Sequence, residues 1–242
     1  GARSRDFVKA LIQSKEKEWD IKILPQRWGE TPQNYLSLND PLRKRFISGV
    51  DPNNPPDIWM QITVPNEFAP IGTKFNIGIS AGIETTIYPG EFIEGSNKMN
   101  LNLVSSEHSK QVALNSKFEK RDKNTNQVQG ILQLERPMEV LFEGLDLEKY
   151  NKNPQNSEIL KDIKEDFCFL FTGHWLPGSF GEDRKDVATL IKTFLETFKG
   201  SSKKKPALIL KCNQVNYSLL DRESVLKQID RIKNQVEGNL PN

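Results

Sequence analysis

Apolar residues in this chain change their spacing several times, and the changes outline a succession of helices and strands. From Ser4, the residues Phe7, Val8, Leu11 and Ile12 recur at helical spacing, fading through "QSKEKE" into the short apolar run "DIKILP". That pattern predicts a helix followed by a strand. A polar, proline-containing stretch extends to Pro56, after which "DIWMQITV", "TKFNIGIS" and "LNLVSS" read as three strands, each closed by small or polar residues. "PGEFIEGSNKM" reads as a helix between the second and the third. Alternation of this kind predicts a parallel sheet covered by helices. Residues 115–130 are polar and aperiodic, as expected of an exposed loop or hairpin insertion, and "MEVLFEGLD" then reads as a strand with an exit turn.

Asn and Pro are frequent in "LEKYNKNPQNSEIL", a composition common where domains join. We place the boundary near Gly144, separating residues 1–144 from 145–242. The second section reads as strand "FCFLFTG", a loop with glycines at 173, 178 and 181, and a helix. Val187, Leu190, Ile191, Phe194, Leu195 and Phe198 share one face of that helix, and Gly200 stops it. "PALILKCN" is the next strand, and a last helix is expected from Asp221 as N-cap through Val225, Leu226, Ile229, Ile232 and Val236 to Gly238. The order strand, helix, strand, helix implies a right-handed first connection. The fold class is therefore α/β. No internal repeat or coiled-coil heptad is visible.

With 242 residues, 36% apolar and 27% charged, the chain has the composition of an ordinary globular protein of one large or two modest domains. No hydrophobic run is long enough to cross a bilayer. The formal net charge is +2, and the basic runs Arg43 to Arg45 and Lys203 to Lys205 are short, so they read as solvated loops and no nucleic-acid partner is expected. Cys168 and Cys212 lie in or beside apolar runs, which suits buried free thiols in a reducing, cytoplasmic compartment better than a disulfide. Two histidines without an acidic cluster at ligand spacing give no metal site. His108 should lie near the start of a helix capped by Ser105 or Ser106.

Candidate chemistry concentrates in "FTGHWLPGSFGEDRKDVATLIKTF". In open parallel sheets ligands bind beyond the carboxyl ends of strands, where loops give way to helix N-termini that favour anions. Arg184 and Lys185, read as the first helical turn, would add charge and donors for a diphosphate. Basic residues there oppose the helix dipole, and a choice that costs local stability is mild evidence of function. The competing reading is an exposed basic pair without a partner. The loop lacks the Gly-Lys-Ser/Thr ending of a Walker loop, and its glycines have the wrong spacing for a dinucleotide fingerprint.

These residues, with others in order upstream, carry a resemblance. "FLFTGHWLPGSFGEDRKDVATLIKTF" resembles the start of the donor-binding domain of glycosyltransferases of the GT-B fold, family 4 in particular. "GISAGIETTIYPGEFIEGSNKMNLNLVSSEHSK" is similar to the end of that family's N-terminal domain, and "VLFEGLD" to its interdomain strand and turn. The resemblance implies two Rossmann-like domains of GT-B type, the first lacking its initial strand and the second incomplete. It also implies sugar transfer from a nucleotide donor with retention of configuration and no metal or cofactor. The acceptor, whether glycan, lipid or protein, is left unnamed, and peripheral contact with a membrane is left open.

Residue by residue, the resemblance gives Arg184 and Lys185 to the donor diphosphate, with Gly173 and His174 at the strand end. His174 stands where the family usually has Arg, which leaves one phosphate contact in doubt, because neutral His offers at most one donor. "GARSRDFVKALI" looks like the last residue of the family's glycine-rich phosphate loop plus the following helix, which makes Gly1 a further candidate. The family's catalytic-site His has no counterpart here, since the strand ends in Thr63, Val64, Pro65 and Asn66. Asn66 and Glu84 are the polar groups that then remain for the acceptor side. Glu84 would act in proton transfer or bind a sugar hydroxyl, or else cap its turn or pair with a lysine. The family's paired-glutamate motif would lie beyond Asn242, so the resemblance implies a chain truncated at both ends and inactive alone. Two rival readings stay open: a catalytically silent nucleotide-binding or assembly module of the same fold, and a different Rossmann-like enzyme such as a nucleotide-sugar epimerase, disfavoured because no Gly-rich fingerprint or Tyr-x-x-x-Lys pair is recognisable.

Overall fold

The computed structural model describes residues 2–26, 36–122, 124–148, 150–152, 157–176, 180–200, 205–214 and 219–241. Gly1, Gly178, Lys203 and Lys204, named above, lie outside the described residues. The fold is mixed α/β with parallel sheets and, among the described residues, five α-helices. The described residues divide into two compact units, 2–26 with 36–151 and 152–241.

The first unit opens with α1 (Ala2–Lys15), on which Phe7, Val8, Leu11 and Ile12 are half-buried. Strands β1 (Ile58–Ile62), β2 (Phe75–Ile79) and β3 (Leu101–Val104) follow, with helix α2 (Gly90–Ser96) between the last two. Helix α3 (Glu107–Asn115), the antiparallel hairpin β4 (Phe118–Arg121) and β5 (Val128–Leu132), and β6 (Met138–Val140) complete it. The four strands β1, β2, β3 and β6 pair in that order, all parallel, with Ile79 opposite Ile62 and Leu103, and Val104 opposite Val140. Four parallel strands send all their outgoing connections to one carboxyl edge. Ile79, Tyr88, Ile93, Met99, Val104, Ala113 and Met138 form the apolar interior, each no more than 3% exposed.

The polar stretch at 115–130 is the hairpin that its composition allowed. The run "DIKILP" differs from expectation, because it makes a single parallel bridge, Ile23 with Phe46, instead of a strand. Its partner chain leaves a short turn at Arg43–Arg45 and offers hydrogen bonds only around that residue. The arginines of this turn are also not free in solvent: Arg43 donates to the Leu36 carbonyl, and Arg45 to the Ile21 carbonyl and the Glu16 carboxylate. "MEVLFEGLD" likewise yields only three strand residues before the chain leaves the sheet.

The second unit is β7 (Cys168–His174), α4 (Val187–Phe198), β8 (Ala207–Asn213) and α5 (Leu219–Lys233). The strands pair in parallel over seven residues, Cys168 with Ala207 through His174 with Asn213. Buried Val187, Ile191, Phe194 and Leu195 on α4 meet Trp175, Val225, Ile232 and Val236, and Phe171, Leu208, Leu210 and Cys212 of the strands pack against this cluster. Lys199 ends α4 and Gly200 turns away at φ 71. Asp221, expected as the N-cap of the last helix, instead lies buried inside its first turn. Lys205 donates to the carbonyls of Asn239 and Leu240, so it too is not simply solvated.

Cys168 and Cys212 are separate, half-buried free thiols, each facing a different residue of the partner strand. Burial pushes the Cys212 thiol up from its usual range. No helix among the described residues is long and apolar enough to cross a membrane.

Candidate functional site

Three connections at the carboxyl ends of strands carry the described candidate residues, two in the first unit and one in the second. In the first unit the chain leaves β2 at Ser80, which is 5% exposed, and runs to α2. Ser80 Oγ accepts from the Gly82 amide at 2.9 Å. Gly82 sits at φ 80, and a Cβ there would collide with the Ser109 side chain, so both turn and close approach require glycine. Ser109 Oγ lies 3.1 Å from the amide and 3.1 Å from the carbonyl of Ile83, serving both. Ser105 donates to the Ala81 carbonyl at 2.5 Å, and His108 Nε2 lies 3.0 Å from the Thr85 carbonyl. Ser106 is the N-cap that starts α3, accepting from the Ser109 amide at 3.2 Å.

Glu84 stands in the middle of this connection with an exposed side chain. Among the described residues it makes no hydrogen bond or ion pair, so it neither caps its turn nor pairs with a lysine. Asn66 lies in the short turn Pro65–Glu67 that closes β1, the neighbouring strand, and is likewise exposed. That turn is held by others: Thr63 donates to the Glu67 carboxylate, and Gln61 bonds the Glu67 carbonyl and the Ala69 amide.

Arg3 was not a candidate from sequence. Its Nη1 lies 3.2 Å from the Ser80 carbonyl and 3.1 Å from Glu143 Oε1, tying α1 to the exits of β2 and β6. Arg3 is close to Ser80 only in space, and no local pattern marks a pair separated by 77 positions.

In the second unit, Gly173 and His174 end β7, and Arg184 and Lys185 lie further along the connection to α4. The basic pair does not occupy the first helical turn, because α4 begins at Val187. The cause is local. Asp183, only 7% exposed, accepts from the Val187 amide at 3.2 Å, and Asp186 adopts the left-handed conformation at φ 47, delaying the helix. An aspartate therefore satisfies a helix N-terminal donor, as capping favours, and the opposition between the basic pair and the helix dipole does not arise. Arg184 and Lys185 are exposed and make no hydrogen bond or ion pair among the described residues. Gly173 and His174 share the strand end with Trp175, whose amide donates to the Asn213 carbonyl of β8.

In the second unit Gly173 and His174 thus end the strand from which the connection bearing Arg184 and Lys185 departs. Asn66 and Glu84 lie on adjoining connections of the first. Compared with known protein families, curated proteins and solved structures, the chain matches none.

Proposed function

We propose that this protein is a glycosyltransferase of the GT-B type, moving a sugar from a nucleotide donor to an acceptor with retention of configuration and without a metal. The second unit would bind the donor diphosphate, and the first would hold the acceptor. The observation that carries this reading is the pair of exposed, uncommitted cations, Arg184 and Lys185, on a strand-to-helix connection at the carboxyl end of a parallel strand. Their side chains are free to close on a diphosphate, and guanidinium and ammonium groups give charge-assisted contacts with phosphate oxygens. Because Asp183 already occupies the Val187 amide, the side chains would supply the phosphate contacts that helix amides supply elsewhere. A leaving diphosphate neutralised in this way is what glycosyl transfer from a nucleotide sugar demands.

Calorimetric titration of UDP and GDP tests the assignment. Arg184→Ala and Lys185→Ala should each weaken binding by about 1.5–3 kcal/mol. Equal affinity in wild type and both variants, or no binding by the wild type, would overturn it. Release of sugar from UDP-glucose or GDP-mannose on binding would exclude a catalytically silent nucleotide-binding module.

A further inference from the structure

At the amino end of β7 and β8, away from the connection that bears Arg184 and Lys185, the second unit holds a cavity of about 260 Å³. Asp166, Phe167, Phe169, Phe198, Lys205 and Pro206 line it. Phe167 and Phe169 are 61% and 43% exposed, although phenylalanine is among the residues most often buried. The ring centroids of Phe169 and Phe198 are 5.8 Å apart with planes tilted by 36°, and Phe167 stands at 87° to Phe169, 5.0 Å away. The three rings thus turn their faces in two directions beside one small space.

Three features make this space electronegative. Aromatic faces carry the negative part of the ring quadrupole. Phe198 closes the last turn of α4, the negative end of the helix dipole, in a turn that contains Glu196 and no basic residue. Asp166 adds a carboxylate to the lining. Lys205, the cation among the described lining residues, has its ammonium on the carbonyls of Asn239 and Leu240 at 2.9 and 3.4 Å, and the cap Lys199 is exposed to solvent. Anions are therefore repelled. A bare ammonium would give up hydrogen bonds to water that phenyl rings do not replace, whereas a cation clothed in methyl groups loses none and gains both apolar contact and cation–π attraction. The volume lies just below the roughly 300–1,000 Å³ of pockets for drug-sized ligands, so the guest is small.

We propose that this cavity binds the trimethylammonium group of a small quaternary amine against Phe167, Phe169 and Phe198, with Asp166 balancing its charge. The site lies wholly in the second unit and shares no residue with the diphosphate contact, so each stands or falls without the other.

Titration of the intact chain, followed by the NMR signals of its phenylalanine rings, tests it with choline and with the neutral analogue in which a tert-butyl group replaces trimethylammonium. Choline should shift the Phe167 and Phe169 signals saturably, and the analogue, equal in shape but uncharged, should bind about tenfold more weakly. Phe167→Leu keeps an apolar side chain at an exposed position, so the thermal midpoint should stay while choline binding weakens about tenfold and analogue binding does not change. Asp166→Asn should weaken choline alone, by about threefold. Absence of a saturable shift with choline, equal affinity for choline and the analogue, or wild-type choline binding by Phe167→Leu would overturn the proposal.

Discussion

Between β2 and α2 the backbone is gripped by hydroxyl and imidazole groups from Ser80, Ser105, His108 and Ser109, and the one charged side chain it presents, Glu84, is left alone. Between β7 and α4 the arrangement is reversed. There a single buried aspartate, Asp183, organises the helix start, and two cations stand outside it without partners among the described residues. The first connection is fixed along its backbone by several side chains, whereas the second leaves its charges on exposed side chains, as the proposed diphosphate contact would require. A diphosphate is attracted by charge over a longer range, and flexible cationic side chains can gather around it.

Glycine substitution gives the largest contrast between the two connections. Gly82→Ala combines a positive φ with a collision against Ser109 and should cost about 3 kcal/mol. Gly181→Ala, at φ 78 but with open space around it, should cost only about 1 kcal/mol. Urea unfolding midpoints compare the two, and equal losses would show that the first connection is not gripped as described.

Removing the organiser of the other connection comes next. Asp183→Ala should destabilise the second unit by about 1 kcal/mol, the usual worth of a capping carboxylate, and Asp183→Asn by less, because the amide oxygen still accepts. Unfolding followed by the fluorescence of buried Trp175 reads this. Arg184→Ala and Lys185→Ala should leave the same transition within about 0.5 kcal/mol of wild type while they weaken diphosphate binding. A clear loss of stability in either would mean that the cation serves the fold.

The smallest effect lies in the β4–β5 hairpin, away from both connections. Asp122 accepts from the amides of Thr125 and Asn124 at 2.9 Å each, and these bonds hold its carboxyl below the usual range. A depressed carboxylate contributes stability above its unfolded pKa, about 3.9, and loses it as pH falls through the lower folded value. The protection factors of the Asn124 and Thr125 amides, which divide out the intrinsic pH dependence of exchange, should therefore fall in acid. Asp122→Asn should remove that dependence while leaving both connections unchanged.

Much of the element order was legible from spacing alone. The apolar face of α4 apart from the exposed Leu190, the strands at 58–62, 75–79 and 101–104, and a serine cap of α3 at 105 or 106 all follow from neighbours within a few positions. The failures came where a segment's fate depends on a distant partner. "DIKILP" has strand composition, yet the chain beside it supplies one bridge. Arg184 and Lys185 sit beside a strong helical pattern, yet Asp183 and Asp186 move the start of α4 past them. For the candidate residues, sequence could name Glu84 and Asn66 as polar groups after strands, but not their surroundings.

By itself, then, the sequence determined the alternation of strands and helices, the parallel character of the sheets, and the presence of a basic pair after a strand. Each of these is encoded in residues close together along the chain. Tertiary structure alone decided that Arg3 joins Ser80 and Glu143, that α3 grips the residues on either side of Glu84, and that Gly82 has no room for a side chain. Those contacts bring together residues separated by tens of positions. They arise from packing helices against a parallel sheet, which leaves no periodic trace in the chain that makes them.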